Sequence, residues 1–328
     1  MLFPNADGVD TLYTIVKATF VIDASGQGVR PGLPEEQIPI VLAPSYHGEP
    51  GTSSVKVPSD VSLEKPGTDV LVLGSAWGWN GEPVRAVDVA VTVGPVRAFA
   101  RVVGDRLWER DGVGFTSSPP APFTSMPLMW ERAFGGSDRT DKGPVEESRN
   151  PVGTGFRIAD GLEPVEGMWL PNIEDPTSPV TSWGQRPPPV GFAPIDAHWE
   201  PRRSYAGTYD DRWQRERAPY LPHDFDARFL QLAPPALVAL AHLTGGEWVD
   251  LRGLTPSGEL RFPLPSMAPR IVYRLDGTTA ERPAVLDTVI LLPDAARVVL
   301  IWRAALVCDK KALRVREVVA SLPEAGPA

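Results

Sequence analysis

VDVAVTVGPVRAFARVV, Val87–Val103, is the stretch that decides the fold. Val87, Val89, Val91 and Val93 fall on one face of an extended chain, and Asp88 and Thr92 fall on the other. Gly94-Pro95 breaks the pattern, and Val96–Val103 resumes it with Arg97 and Arg101 on one face. A period of two on both sides of a Gly-Pro break predicts a hairpin with one buried and one solvated face. The arginines then form a solvated rim.

Working outward, the same signal recurs at both ends of the chain. Leu12–Ile22 is β-branched and aromatic, with Lys17 as its one charge. Val55 and Val57 alternate with polar neighbours, and Val70–Leu73 is a short apolar run closed by Gly74. Late candidates are Glu247–Leu251, Arg270–Leu275, Val289–Leu292 and Val298–Trp302, with Pro293–Ala296 as a hairpin loop. Leu313–Leu322 fits an edge strand or a helix. One or two short helices are expected. One covers Met129–Phe134 before Gly135-Gly136. The other covers Pro235–Thr244, with Leu237, Leu240 and Leu243 on one face and Gly245-Gly246 after it.

The expected fold is mainly β, with sandwich or barrel-like sheets and a long irregular Trp/Pro/Arg-rich insert. The chain divides into a β-rich part at 1–118, an irregular middle at 119–234, and a helix plus β-rich part at 235–328. Strands at both ends imply that the two ends share a sheet system.

Composition agrees with a packed β-rich protein. Of 328 residues, 42% are hydrophobic and 22% charged, and 37 prolines, 30 glycines and 10 tryptophans imply many turns around a core. A formal net charge of −9 without a Lys-rich run argues against nucleic acid and suits a basic partner. The single cysteine, Cys308, excludes an internal disulfide and reads as a buried thiol. MLFPNADGVD lacks the basic-then-apolar pattern of a secretory signal, and no apolar run is long enough to span a bilayer. A cytoplasmic location without membrane insertion is the expectation.

The block from Leu170 to Asp226 crowds Trp, Tyr, Pro, Gly, Arg and Asp together without either periodicity. Such a loop either folds on itself or carries function. Its carboxylates Asp210, Asp211, Asp224 and Glu200 lie among Arg202, Arg203, Arg212, Arg215 and Arg217, where ion pairing is the simplest account. Interfaces concentrate energy in Trp, Tyr and Arg. Trp199, Arg202, Tyr205, Tyr209, Trp213 and Phe225 are therefore candidates for a partner-binding surface, or for the layer just under it. Gly207, Asp210, Pro222 and Asp224 are candidates for shaping the loop, with Asp210 and Asp224 holding it by capping and ion pairing. The alternative is that these aromatics form a buried scaffold and the interface lies at a strand edge elsewhere. Trp77 and Trp79, at i and i+2, form core packing or a stacking platform.

Catalytic signatures are missing from the sequence: no GxGxxG after a strand, no Walker A pattern, no GxSxG elbow and no HExxH. His198 and His223 stand near Asp196, Asp224 and Asp226, but their spacing matches no metal-ligand code. No metal, cofactor or catalytic residue is assigned.

Several phrases together resemble one bacterial family. They are VKATF (Val16–Phe20), WERAFGG (Trp130–Gly136), NPVGTGF (Asn150–Phe156), LPNIE (Leu170–Glu174), GFAPIDAHWEPR (Gly191–Arg202) and AGTYDDRWQRERAPYLPHDFDARFLQLAP (Ala206–Pro234). The family was first catalogued as a domain of unknown function. Its members occur with type VI secretion genes, often beside the VgrG spike protein and a toxic effector. The resemblance covers about residues 16–310 as one family domain. It implies a non-catalytic effector adaptor or chaperone that stabilises a cognate toxin and helps load it onto VgrG. The alternatives are a structural part of the spike, or a β-rich carbohydrate-active or other hydrolytic enzyme using Asp and Trp residues of the 196–226 block.

Overall fold

The computed structural model describes residues 1–5, 7–308 and 312–322 of the chain. The hairpin Ala86–Val93/Val96–Val103 forms with Val93 opposite Val96 and Ala86 opposite Val103. Val89, Val91, Val93, Ala98, Ala100 and Val102 are buried, while Arg97, Phe99 and Arg101 point to solvent. Arg101 pairs across the strands with Asp88 at 2.8 Å, on the solvated face. The hairpin is the centre of a five-stranded antiparallel sheet, ordered Ile173–Glu174, Val96–Val103, Ala86–Val93, Trp248–Arg252 and Glu259–Pro263.

A second sheet joins the two ends of the chain. Its order is Leu2–Pro4, Asp10–Ile22, Arg297–Val307, Val285–Leu292, Thr68–Val72 and Val238–Ala239, and Val29–Pro31 pairs with Asp10–Ile22 off this path. Asp10–Ile22 lies antiparallel to Arg297–Val307 over its whole length, whereas Thr68–Val72 runs parallel to Val285–Leu292. One apolar cluster unites this sheet with the first. It includes Phe20, Val70, Val72, Leu291, Leu300 and Trp302 from one sheet and Val89, Val91, Val102 and Leu251 from the other. Both sheets are open, and the fold is mainly β with no closed barrel. A three-stranded sheet, Thr278–Pro283, Arg270–Leu275 and Val315–Ser321, covers the other side of the second sheet. There Ile271 and Tyr273 pack on Ala304, Leu306 and Cys308, and Tyr273 Oη donates to Thr14 Oγ1 at 2.9 Å. Cys308 is a buried free thiol.

The expected helix at Pro235–Thr244 does not form. A single 3₁₀ turn, Pro235–Leu237, leads into the strand Val238–Ala239. Leu237 and Leu243 are buried, but Leu240 is 92% exposed, so the leucines do not share a face. The open edge of Thr68–Val72 takes Val238 and Ala239 as ladder partners, and those hydrogen bonds outweigh a weak helical pattern. Met129–Phe134 is likewise a 3₁₀ turn, Trp130–Arg132, before the short strand Phe134–Gly135. Leu313–Leu322 resolves into a 3₁₀ turn, Ala312–Arg314, and the edge strand Val315–Ser321. Residues 323–328 of the C-terminal part lie outside the described residues. The α-helix among the described residues, Asp211–Glu216, lies inside the block that carried no helical periodicity.

Candidate interaction groove

The irregular block is held by specific bonds at nearly every turn. Trp199 is buried at 5% exposure, with its ring edge-on to Trp130 at 6.1 Å and an interplanar angle of 89°. Trp130 Nε1 donates to Ala193 O and Pro194 O, which ties the WERAFGG turn to the GFAPID segment. The NPVGTGF phrase locks on from the other side. Asn150 Nδ2 donates to Trp130 O and Phe134 O, and Phe134–Gly135 bridges in parallel to Thr154–Gly155. Gly135 adopts φ +152°, and a Cβ there would stand 2.2 Å from Asn150 O, so only glycine fits this approach.

Beyond Trp199 the chain makes a small module of its own. Asp210 caps the helix Asp211–Glu216 by accepting from Trp213 N at 2.8 Å. Trp213 packs edge-on to Tyr209 at 4.7 Å, and its Nε1 donates to Tyr220 O at 2.8 Å. Asp224 accepts from Thr208 N at 3.0 Å and Thr208 Oγ1 at 2.7 Å, and these bonds hold its carboxyl below the usual range. Gly207, at φ +81°, passes against Asp224 and the buried Pro222 where a Cβ would meet both at 3.0 Å. Phe225 stacks edge-on to Phe229 at 5.8 Å, and Arg228 lies 4.2 Å over the Tyr205 ring while pairing with Asp226. Of the capping and ion pairing expected at Asp210 and Asp224, the structure shows the backbone and hydroxyl bonds, and the arginines pair elsewhere. Arg203 pairs with Glu200 and Arg212 with Glu216.

Of the six aromatic and arginine candidates, Arg202 reaches an open apolar groove. Its Nε donates to Phe229 O at 3.0 Å and its NH1 to Ile195 O at 2.6 Å, with the guanidinium 5.2 Å over the Phe229 ring. The groove holds about 380 Å³ and is mostly apolar. One side is Ile195, Asp196 and Arg202 of the block, and the other is Met1, Phe3 and the 58–63 segment, with Tyr46 between them. Burial and the neighbouring Asp196 charge raise the Tyr46 hydroxyl above its ordinary pKa. Burial pulls the Arg202 guanidinium down, opposed by Asp69 and Asp196. Asp196 itself accepts from His198 N at 2.9 Å. Trp213 lines a separate cleft of about 310 Å³ with Asp210, Pro222 and His223. Trp199 lies beneath the surface, so it supports the block and does not present a ring to a partner. Tyr209 is exposed, and Tyr205 and Phe225 are half-buried. Among the described residues no cluster of His, Cys, Asp and Glu is arranged to hold a metal.

Trp77 and Trp79 do not share a face. Trp77 ends the strand Ser75–Trp77 and its Nε1 donates to Asp294, whereas Trp79 lies in a 3₁₀ turn, 60% exposed, over Gly258.

The wall at 58–63 rests on a buried ionic layer that the sequence reading did not find. Arg303 pairs with Asp287 and donates through NH1 to Ser62 O and through NH2 to Asp60 O. Lys65 bridges Asp69 at 2.7 Å and Asp287 at 3.0 Å and donates to Thr288 Oγ1. Lys17 meets Asp60 at 2.8 Å, and Leu232 N donates to Asp69 Oδ2 at 2.8 Å. The layer balances three cations against three anions. It pins the 58–65 segment and Leu232, both of which border the groove, to the seven-stranded sheet. Five of these six groups lie at isolated places within apolar or turn segments, so no local pattern reveals them. Their one sequence signal is charge inside strands, at Lys17, Asp69, Asp287 and Arg303, where strand alternation alone leaves the exposed or buried side undecided.

The chain belongs to the bacterial family described as an uncharacterized protein conserved in bacteria (DUF2169), which it matches over residues 7–303. No curated protein and no solved structure matches it. No helix among the described residues is long and apolar enough to cross a membrane.

Proposed function

We propose that this family member is a non-catalytic effector adaptor of type VI secretion. It would hold a cognate toxin in the cytoplasm, keep it soluble and help place it on the VgrG spike. The observation that carries this reading is the groove. It is an open apolar surface rimmed by Met1 and Phe3, each at least 40% exposed, and by Val61. Exposed apolar patches with polar rims mark protein–protein sites. Arg202 and Tyr46 at its base are of the residue types that dominate interface energetics. The ionic layer beneath keeps the 58–65 wall in place before a partner arrives, which lowers the ordering cost of binding.

The test is co-expression with the products of neighbouring genes, scored for capture and for toxin solubility. Capture of a toxin that precipitates alone supports the adaptor. Phe3→Asp and Val61→Asp, both on the exposed rim, are expected to weaken capture at least about tenfold while thermal stability stays near wild type. Capture of neither toxin nor VgrG by the folded protein overturns the reading, and a glycan and hydrolase screen follows.

A further inference from the structure

Three of the phrases quoted above converge on a second pocket, which shares no lining residue with the groove. Arg132 comes from WERAFGG, Thr154 from NPVGTGF, and Leu170 and Asn172 from LPNIE. Asp105 and Trp169 complete a space of about 310 Å³. Trp169 lies on an extended run bridged to Leu107, between the buried Met168 and Leu170. Strand alternation therefore turns its indole outward, 54% exposed.

Asn172 organises the polar side of the pocket. Its side chain is buried, and its backbone is fixed on both sides, N to Arg132 O and O to Val103 N, each at 2.8 Å. Its Oδ1 accepts from Arg132 NH1 at 3.0 Å, and its Nδ2 donates to Asp105 Oδ1 at 2.9 Å. One buried amide thus sets a guanidinium and a carboxylate side by side, 3.5 Å apart, with both side chains still open to solvent. Such support from beneath is how binding groups are pre-positioned.

We infer that this pocket binds a saccharide ring. Glu131 also lines the pocket, but both its carboxylate oxygens are engaged, accepting from Ser54 N at 2.7 Å and Ser54 Oγ at 2.6 Å. Asp105 and Arg132 are then the charges that face a ligand, and an adjacent carboxylate and guanidinium suit a ligand of no net charge. A hydroxyl both donates and accepts. Neighbouring hydroxyls on a sugar therefore match an acceptor and a donor held next to each other. The flat apolar face of the ring stacks on the exposed indole of Trp169. This site is independent of the groove and of the adaptor reading.

Maltotriose, cellotriose and chitotriose, titrated into the full-length protein and followed by saturation-transfer NMR and calorimetry, test it. At least one is expected to bind in the millimolar range or tighter. Trp169→Ala is expected to weaken that binding about tenfold or more, close to 1.4 kcal/mol, and Asp105→Asn to weaken it measurably. Both variants should keep the wild-type circular dichroism and melting temperature. Binding of none of the three to wild type, or unchanged binding by both folded variants, overturns the inference.

Discussion

Two tryptophans of one block have opposite roles, and burial separates them. Trp199 is enclosed, edge-on to Trp130, at the junction of two segments that have little regular structure of their own. Trp199→Ala should cost about 3–5 kcal/mol, because the cavity adds to the lost transfer energy. Urea denaturation followed by circular dichroism would measure this, and a loss below about 1 kcal/mol would place Trp199 outside the core. Trp213 packs on Tyr209 and donates to Tyr220 O within a peripheral module. Trp213→Ala should loosen that module by about 1–2 kcal/mol and leave the sheets as they are. Hydrogen exchange is expected to quicken within residues 207–226 and to stay unchanged in Arg297–Val307. Faster exchange throughout would show that the module is part of the global fold.

At the scale of elements, the ionic layer joins the central strands to the groove walls. Burial pushes the Asp287 carboxyl up, but Lys65 and then Arg303 outweigh it and hold it below its ordinary value. A carboxyl lowered on folding stabilises the protein fully above its unfolded value of about 3.9. That stabilisation is lost as pH falls through the lower folded value. Urea stability measured from neutral pH downward should therefore fall in acid, and Asp287→Asn should flatten that fall while lowering stability at pH 7. An equal slope in the variant would assign the acid sensitivity elsewhere. Arg303→Met leaves Asp287 with Lys65 as its one cation, beside the Thr288 hydroxyl, and frees the carbonyls of Asp60 and Ser62. Breaking a buried pair this way should cost about 3–5 kcal/mol. The strand Val238–Ala239 depends on Gly67, where a Cβ would stand 2.1 Å from Ala239 O. Gly67→Ala should cost at least about 1 kcal/mol and expose that sheet edge. Thermal melting would detect this change.

At the scale of the whole molecule, the early strand Asp10–Ile22 and the late strand Arg297–Val307 are immediate neighbours in one sheet. The sequence by itself determined the elements with a local cause. Val87–Val103 is a hairpin because alternation and a Gly-Pro break need no distant partner. Leu12–Ile22 and Val298–Trp302 are strands because β-branched runs suit a pleated surface. It also showed that residues 170–226 would be irregular, since Pro, Gly and Asp set the backbone locally. Only the tertiary structure decided the rest. Pro235–Thr244 lost its helix to the hydrogen-bonding demand of the Thr68–Val72 edge. Of the capping and ion pairing expected of Asp210, the structure shows the cap, on a helix too short for periodicity to reveal. Arg202, Tyr46 and Phe3 come from widely separated positions to one groove. Lys17, Lys65, Asp69, Asp287 and Arg303 meet beneath it. The physical reason is the same in each case. A turn or an alternating strand is set by neighbours along the chain, whereas a groove or a buried charge layer is set by which segments share one face of a sheet. Long-range pairing alone fixes that.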